Sequence, residues 1–138
     1  MPWVMPYLTV RDARTSLEFY SSAFGFEKSN ELADEDGRVI HGEMKWHDMV
    51  IMVGPEGAYG NPAKAPVSTK TPSPINLYFY VNDVDEAYRM ALDAGCETVL
   101  EPMDAFWGDR MAQVSDPDGY KWTLATNVAD FDPDKVPR

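Results

Sequence analysis

Two stretches of the chain follow the same plan, and this internal repeat constrains the fold more than any other feature. Residues 5–25 (MPYLTVRDARTSLEFYSSAFG) and 76–95 (NLYFYVNDVDEAYRMALDAG) each predict a strand, a turn at an aspartate and an amphipathic helix that stops at a glycine. An offset of 71 residues aligns them, with one deletion before the final glycine. The alternative is a chance likeness between ordinary segments, but the aspartate and glycine in register favour two copies of one supersecondary unit.

Three further strands are predicted after each helix, over residues 26–32, 38–46 and 49–53 and again over 97–101, 110–115 and 120–126. Acidic turns ending in glycine separate strands in both halves, at residues 34–37 and 116–119. Pro6 cannot donate a ladder hydrogen bond, so the first strand is expected at an edge or at a bulge. The order β-α-β-β-β, twice, predicts one α+β domain of two modules.

The predicted boundaries place module one at residues 1–54 and module two at residues 75–126 of a single domain, 1–138. The connection, 54–74, holds three glycines and five prolines with little periodicity. It either folds over a ligand or a partner subunit or is a floppy linker. The C-terminal tail, 127–138, is expected to be loose or to lie along a surface.

Charge excludes several classes of function. The 138 residues carry a net charge of −11, which disfavours nucleic acid and anionic membrane surfaces as partners. The same charge would attract a cationic ligand if it lined a cleft, although it could serve solubility alone. A single cysteine, Cys96, and the lack of a signal peptide or a long apolar run predict a cytoplasmic protein without disulfides.

The two repeated segments and the ending DPDGYKWTLAT together resemble the vicinal oxygen chelate superfamily of glyoxalase I, bleomycin resistance proteins and extradiol dioxygenases. The segments VIHGEM and MDAFWGDRMAQVSDPDG are similar to those of its small bacterial PhnB-like members. The resemblance implies two βαβββ modules whose curled mixed sheets form a cleft. It also implies a homodimer, a small-molecule ligand, and, in metal-using members, four ligands from the first and last strands of the modules.

The four positions that correspond to those ligands are Met5, Met52, Asn76 and Thr123. Two thioethers, an amide and a hydroxyl are neutral, whereas Zn²⁺, Mn²⁺ or Fe²⁺ prefers imidazole and charged oxygen. The sequence therefore predicts no metal and no other cofactor, and assigns these four positions to ligand binding.

His41 and Glu43 are the best candidates for catalytic residues. They lie two apart on a predicted strand, so both side chains point to one face. They could form a simple polar contact, a displaced metal site with other residues, or an acid–base pair. His47 is expected to be exposed at a turn, and Cys96 to be structural.

Aromatic residues supply the other candidates for ligand binding. Phe106, Trp107 and Arg110 could stack on a flat ligand and pair with its carboxylate. Alternatively, the rings close the end of a sheet and Arg110 pairs with Asp109 or Asp116. Tyr7 and Tyr78 share strand parity with Met5 and Asn76 and are expected on the ligand face, as is Tyr80, whereas Trp122 is expected in the core.

Two main functions follow. One is metal-independent binding or sequestration of an organic ligand, planar and cationic, in the style of bleomycin resistance proteins. The other is a glyoxalase-type lyase or isomerase, or a dioxygenase-like enzyme, that uses an atypical metal or acid–base site around His41 and Glu43. A third alternative is an interaction module that keeps the fold without the pocket chemistry.

Overall fold

The computed structural model describes residues 2–138, so residue 1 of the predicted module one lies outside the described residues. The chain divides into two compact units, Met1–Pro72 and Ser73–Arg138. Each unit contains one four-stranded mixed sheet and a helix that connects its first two strands. The predicted α+β class with two βαβββ modules is confirmed. No helix within residues 2–138 is long and apolar enough to span a membrane.

In the first unit the strand order is β1-β4-β3-β2, with β1 and β4 parallel and the other pairs antiparallel. The elements are β1 Tyr7–Val10, α1 Ala13–Phe24, β2 Glu27–Ala33, β3 Val39–Trp46, β4 Met49–Pro55 and the short helix α2 Pro66–Thr69. β1 lies at an end of the sheet, as expected from Pro6, whose carbonyl accepts a hydrogen bond from the Met52 N–H at 2.9 Å.

The second unit repeats this topology in the order β5-β8-β7-β6. Its elements are β5 Asn76–Tyr80, α3 Val84–Ala94, β6 Glu97–Asp104, β7 Asp109–Ser115 and β8 Lys121–Asn127. β6 is longer than predicted, and the loop after it is correspondingly short, residues 105–108. The predicted end of this strand at residue 101 was wrong, because β6 continues past its register shift and pairs Met103 with Met111 and Asp104 with Arg110.

The repeat seen in the sequence is also a repeat of backbone geometry. Tyr7 pairs with Met52 across β1 and β4, and Tyr78 pairs with Thr123 across β5 and β8, so the offset of 71 holds on both strands. Asp12 and Asp83 cap the two helices by accepting a backbone N–H three residues later. Both helices end at a glycine with positive φ, 75° at Gly25 and 118° at Gly95, where a Cβ would be strained.

The core of each unit lies between its helix and one face of its sheet. Strand alternation directs Leu8, Val10, Ile51 and Val53 to the helix side in the first unit, and all four are buried. Trp122 is buried in the second unit, as predicted, and stands edge to face with Phe79 at 5.8 Å between ring centroids. The opposite face of each sheet is not covered by the helix of its unit.

Glu56, just after β4, joins the connecting segment to β1, because its N–H donates to the Val10 carbonyl at 2.9 Å. The Glu56 carboxylate accepts the Ala65 N–H at 2.9 Å, and Ala58 and Ala65 are buried. A hydrogen bond from the Ser68 side chain and the one from the Ala65 backbone lower the pKa of Glu56. The segment therefore has defined contacts of its own, and the floppy alternative is disfavoured.

Two turns with the same Asp-x-Asp-Gly pattern allow a matched test of fold stability. Asp34 and Asp116 each accept two backbone N–H groups, two and four residues later, but only Asp116 is buried and also accepts the Trp122 indole N–H, at 2.8 Å. We expect Asp116→Ala to lower the free energy of unfolding by about 2–4 kcal/mol, since it leaves buried donors unpaired. Asp34→Ala should cost about 1 kcal/mol or less. Urea denaturation measures both, and equal losses would contradict this account.

Candidate functional site

The predicted site residues on β1, β3, β4, β5 and β8 lie on the sheet faces that point away from the helices, and each unit carries its own set. In the second unit, strand alternation places Asn76, Tyr78 and Tyr80 of β5 on this face. The register across β8 and β7 adds Thr123 and Asp109. This group of side chains contains a buried charge.

Asp109 is the centre of the second unit's face. Its carboxylate is 2% exposed, yet Oδ2 accepts hydrogen bonds from the hydroxyls of Tyr78 at 2.5 Å and Tyr80 at 2.8 Å. Oδ1 accepts one from the Asn127 side-chain amide at 3.2 Å. Within residues 2–138 no lysine or arginine forms a salt bridge with Asp109. The charge is therefore stabilised by neutral donors alone.

These hydrogen bonds decide the protonation state of the cluster. Burial by itself would raise the pKa of Asp109, but the donors, led by Tyr78 and Tyr80, outweigh it and lower that pKa, so the group is a carboxylate at neutral pH. Burial and the bond to Asp109 raise the pKa of Tyr78 to about 12. The bond to Asp109 also raises the pKa of Tyr80. Both tyrosines thus remain neutral donors to an anion.

Trp107 extends this cluster from the loop that precedes β7. Its indole N–H donates to the Tyr78 hydroxyl at 3.0 Å, and Phe106 stands edge to face with it at 5.0 Å between centroids. Trp107, Tyr78 and Tyr80 are 39%, 41% and 55% exposed. We call these three rings and Asp109 the aromatic–carboxylate cluster. It presents ring surface to solvent while its polar groups bond to each other.

Arg110 does not join this cluster, which corrects the prediction that it acts with Phe106 and Trp107. As the next residue along β7 it points to the opposite face, toward α3. There its guanidinium donates to Asp85 at 3.0 Å and to Asp104 at 3.1 Å. The salt bridges of Arg110 are with Asp85 and Asp104, so the alternative pairings with Asp109 or Asp116 were wrong.

Asn76 and Thr123 hydrogen bond to each other, although 47 residues separate them in the chain. The Asn76 Nδ2 to Thr123 Oγ1 distance is 2.9 Å, and the Thr123 Oγ1 to Asn76 Oδ1 distance is 3.1 Å. Thr123 is fully buried. Two of the four positions that correspond to metal ligands in the resembling family are thus occupied with one another.

In the first unit, His41 and Glu43 form the predicted pair on the face that points away from α1. His41 Nε2 lies 2.9 Å from Glu43 Oε2, and both side chains are partly buried. Since a carboxylate only accepts, this bond requires a proton on Nε2 and leaves Nδ1 outside the contact. Tyr7 stands nearby, with 6.1 Å between its ring centroid and that of His41.

Tyr7 lies across β4 above a glycine. A Cβ at Gly54 would be 1.9 Å from the Tyr7 hydroxyl oxygen, so only glycine permits this position of the ring. Burial, and then the neighbouring Tyr59, raise the pKa of Tyr7. Tyr59 has a positive φ of 56°, which is uncommon for a residue with a side chain.

A cavity of about 400 Å³ adjoins Glu43 in the first unit. Its size suits a small ligand, and its lining combines apolar and charged groups. The lining residues are Pro2, Met5, Glu43, Lys45, His47, Asp48 and Val50.

The donors at the four corresponding positions do not fit a divalent metal ion. Met5 and Met52 each offer a thioether, and Asn76 and Thr123 are already hydrogen bonded to each other. Within residues 2–138 no group of three or more histidine, cysteine, aspartate or glutamate side chains is arranged to hold a metal. Glu43 lies beside Met52 in the β3–β4 register, but with His41 it makes only two donors.

The most important residue that sequence reasoning missed is Asp109. The predicted strand began at Arg110, so Asp109 was assigned to the loop and its place beside Tyr78 was not considered. The alternation of side chains along a strand could have identified it. Asp109, Met111 and Gln113 share one face of β7, and Tyr78 and Tyr80 share one face of β5. Asn127 and Gly54 were missed because their roles depend on contacts between distant strands.

Comparison with known proteins finds the same family and the same fold over most of the chain. Residues 1–124 match the family model of the Glyoxalase/Bleomycin resistance protein/Dioxygenase superfamily. An uncharacterized protein of Mycobacterium bovis is 30% identical over 137 residues, which cover 98% of this chain and 90% of that protein.

Two solved structures illustrate the likeness. TioX from Micromonospora sp. ML1 has a TM-score of 0.72 at 20% identity and covers 93% of this chain and 100% of its own. The fosfomycin resistance protein FosX from Listeria monocytogenes, in complex with Mn(II) and sulfate, has a TM-score of 0.69 at 14% identity over 92% of this chain and 90% of its own. At these identities the structures establish the fold alone.

The charge on Asp109 predicts a pH-dependent stability. Because its folded pKa is lowered, its contribution is present above the ordinary pKa of about 3.9 and is lost as pH falls through the folded value. We expect Asp109→Asn to lower the free energy of unfolding by about 1–3 kcal/mol at pH 7 and by progressively less at more acidic pH. Denaturation from pH 7 to 3 measures this, with Asp93→Asn on exposed α3 surface as the control. A loss independent of pH would show that Asp109 is not ionised.

Proposed function

The chain belongs to the glyoxalase/bleomycin resistance protein/dioxygenase superfamily, and we propose that this member binds a planar organic cation without a metal ion. The observation that supports the proposal is the aromatic–carboxylate cluster of the second unit. It combines exposed ring surface with a buried negative charge, and both favour a flat, positively charged ligand.

The aromatic surface would supply most of the binding energy. Tyr78 and Tyr80 meet at an interplanar angle of 61° with 5.7 Å between centroids, and the indole of Trp107 adjoins them. A cation near the faces of such rings is stabilised by about 0.5–2 kcal/mol for each good contact. Phe106, which packs against Trp107, would support the ring from behind.

The charge of Asp109 would supply selectivity. Neutral donors stabilise the carboxylate, yet within residues 2–138 no salt bridge compensates its charge. The net charge of the protein, −11, adds to the attraction for a cation. Sequestration, in which the ligand is held without chemical change, is the simplest use of such a surface.

Metal independence follows in the proposal from the chemistry of the donors. Neutral thioether, amide and hydroxyl groups leave the charge of a divalent ion uncompensated. The other residues predicted to contact ligand, Met5, Tyr7 and Met52, lie in the first unit and stay predictions.

The homodimer that the resemblance implies also stays a prediction, and light scattering of the purified protein tests it.

We expect thioflavin T, a planar aromatic cation, to bind the purified protein at micromolar concentration. Trp107→Ala should weaken the affinity by about 10-fold, equivalent to about 1.4 kcal/mol, since it removes one ring contact. Trp3→Ala is the matched control, because Trp3 is fully exposed and lies outside the cluster. Fluorescence titration measures the affinities, and the protein's metal content should be well below about one ion per chain.

Two results would contradict the proposal. One is the absence of binding by thioflavin T and by other planar aromatic cations at micromolar concentration. The other is binding that is lost after treatment with EDTA and restored by a divalent ion, which would point to metal ligands other than those considered.

A second candidate function, acid–base catalysis by a lyase or isomerase, is favoured by the bond between His41 and Glu43. The bond orients the imidazole and would stabilise the imidazolium formed when Nδ1 takes a proton from a substrate. The adjoining cavity of about 400 Å³ could hold a small substrate beside Glu43. This proposal requires no metal ion.

If the second candidate is correct, any turnover found in a substrate screen should fall to background in His41→Ala, because the base is lost. Glu35→Ala should retain activity, since Glu35 is exposed in the turn of residues 34–37 and lies outside the cavity. Steady-state kinetics with circular dichroism as a folding control makes the comparison. Equal activity in both variants would exclude His41 as the base.

A further inference from the structure

We propose that residues 127–132, here called the C-terminal strap, position Trp107 and so set the shape of the aromatic–carboxylate cluster. The consequence for ligand binding rests on the proposed function. The positioning itself can be tested without a ligand. The sequence predicted a tail that is loose or lies along a surface, and the contacts assign it a more specific role.

The strap is attached to the loop of residues 105–108 at Gly108. The Gly108 carbonyl accepts the backbone N–H of Val128 at 2.9 Å and that of Ala129 at 3.0 Å. The Asn127 side-chain amide is 3.3 Å from the same oxygen. Three donors from one short segment therefore converge on the residue that follows Trp107.

Gly108 is also the point of closest approach between loop and strap. A Cβ at this residue would lie 2.2 Å from the Ala129 carbonyl oxygen, and its φ is 99°. Any side chain here would push the strap away and strain the backbone. The glycine thus permits the contact, and a substitution should break it locally.

A second attachment lies on the other side of Trp107. The Phe106 carbonyl accepts the Asp132 N–H at 3.4 Å, and the rings of Phe106 and Phe131 are 6.3 Å apart. Phe106 in turn contacts Trp107 edge to face. The two residues that flank Trp107 are therefore both held by the strap.

The strap also contacts the charged centre of the cluster. Asn127 donates to Asp109 Oδ1 at 3.2 Å and to the Ala129 carbonyl at 3.2 Å, so one side chain links the strap, Gly108 and the carboxylate. Most strap residues are exposed, and exposed hydrogen bonds open at low cost. Release of the strap should therefore free Trp107 without unfolding the sheet, which ends at Asn127.

The test uses a background in which Trp3 and Trp46 are replaced by phenylalanine. Acrylamide quenching then reports on Trp107, because Trp122 is buried. We compare Gly108→Ala, Phe131→Ala and a chain that ends at residue 127 with the unaltered background. A chain that ends at residue 132 retains the strap and is the matched control.

We expect the quenching constant to rise about two-fold in the three strap variants, since Trp107 is 39% exposed and would become mobile. The control truncation should show no rise. Thioflavin T affinity should fall about 10-fold in the strap variants, as in Trp107→Ala. Circular dichroism verifies that each variant is folded. Phe131→Ala changes an exposed side chain, so it still tests the strap if another variant fails to fold.

Unchanged quenching in folded Gly108→Ala and Phe131→Ala would overturn the positioning role. Increased quenching with unchanged thioflavin T affinity would overturn its consequence for binding. If the unaltered protein binds no planar cation, the proposed function fails, while the quenching comparison still decides whether the strap positions Trp107.

Discussion

The parallel pairing of the first and last strands of each unit is the constraint on which the rest of the structure depends. It forces the chain to cross from one strand to the other through a helix and two further strands, and the helix must then cover one face of the sheet. The other face is not covered by the helix and carries the polar and aromatic side chains of the candidate site. Tyr78 and Asp109, which are 31 residues apart, meet there because β8 lies between their strands.

This arrangement explains why a carboxylate can be buried at Asp109 without a cation. The donors to Asp109 come from β5 and from the end of β8, and Trp107, in the loop before β7, donates in turn to the Tyr78 hydroxyl. The sheet and the C-terminal strap hold these groups in place. Preorganised donors keep the group ionised at little cost, since they need not reorganise when the charge is present. The outcome is an anion that is hydrogen-bonded to the hydroxyls of two tyrosines, and this charge is the electrostatic basis of the proposed selectivity for cations.

The units share a fold but differ in the chemistry of their exposed faces. The first unit carries the His41–Glu43 pair and Tyr7, and the second carries the aromatic–carboxylate cluster. Neither has the charged oxygen and imidazole donors that a divalent ion needs at the positions the fold offers. A repeated scaffold therefore carries two different groups of side chains, to which we assign the two proposed functions.

The sequence alone determined the two βαβββ units, the aspartate before and the glycine after each main helix, and the placement of His41 and Glu43 on one strand face, because these depend on local spacing and strand parity. The sequence did not determine the start of β7. Because β7 begins at Asp109, the Asp109 side chain lies on the sheet face that points away from α3, and Arg110 lies on the helix face. Only the tertiary structure brought together Asn76 with Thr123 and Gly108 with the strap. Those contacts join residues far apart in the chain or require a glycine for close approach, and no local pattern encodes which backbone will be the neighbour.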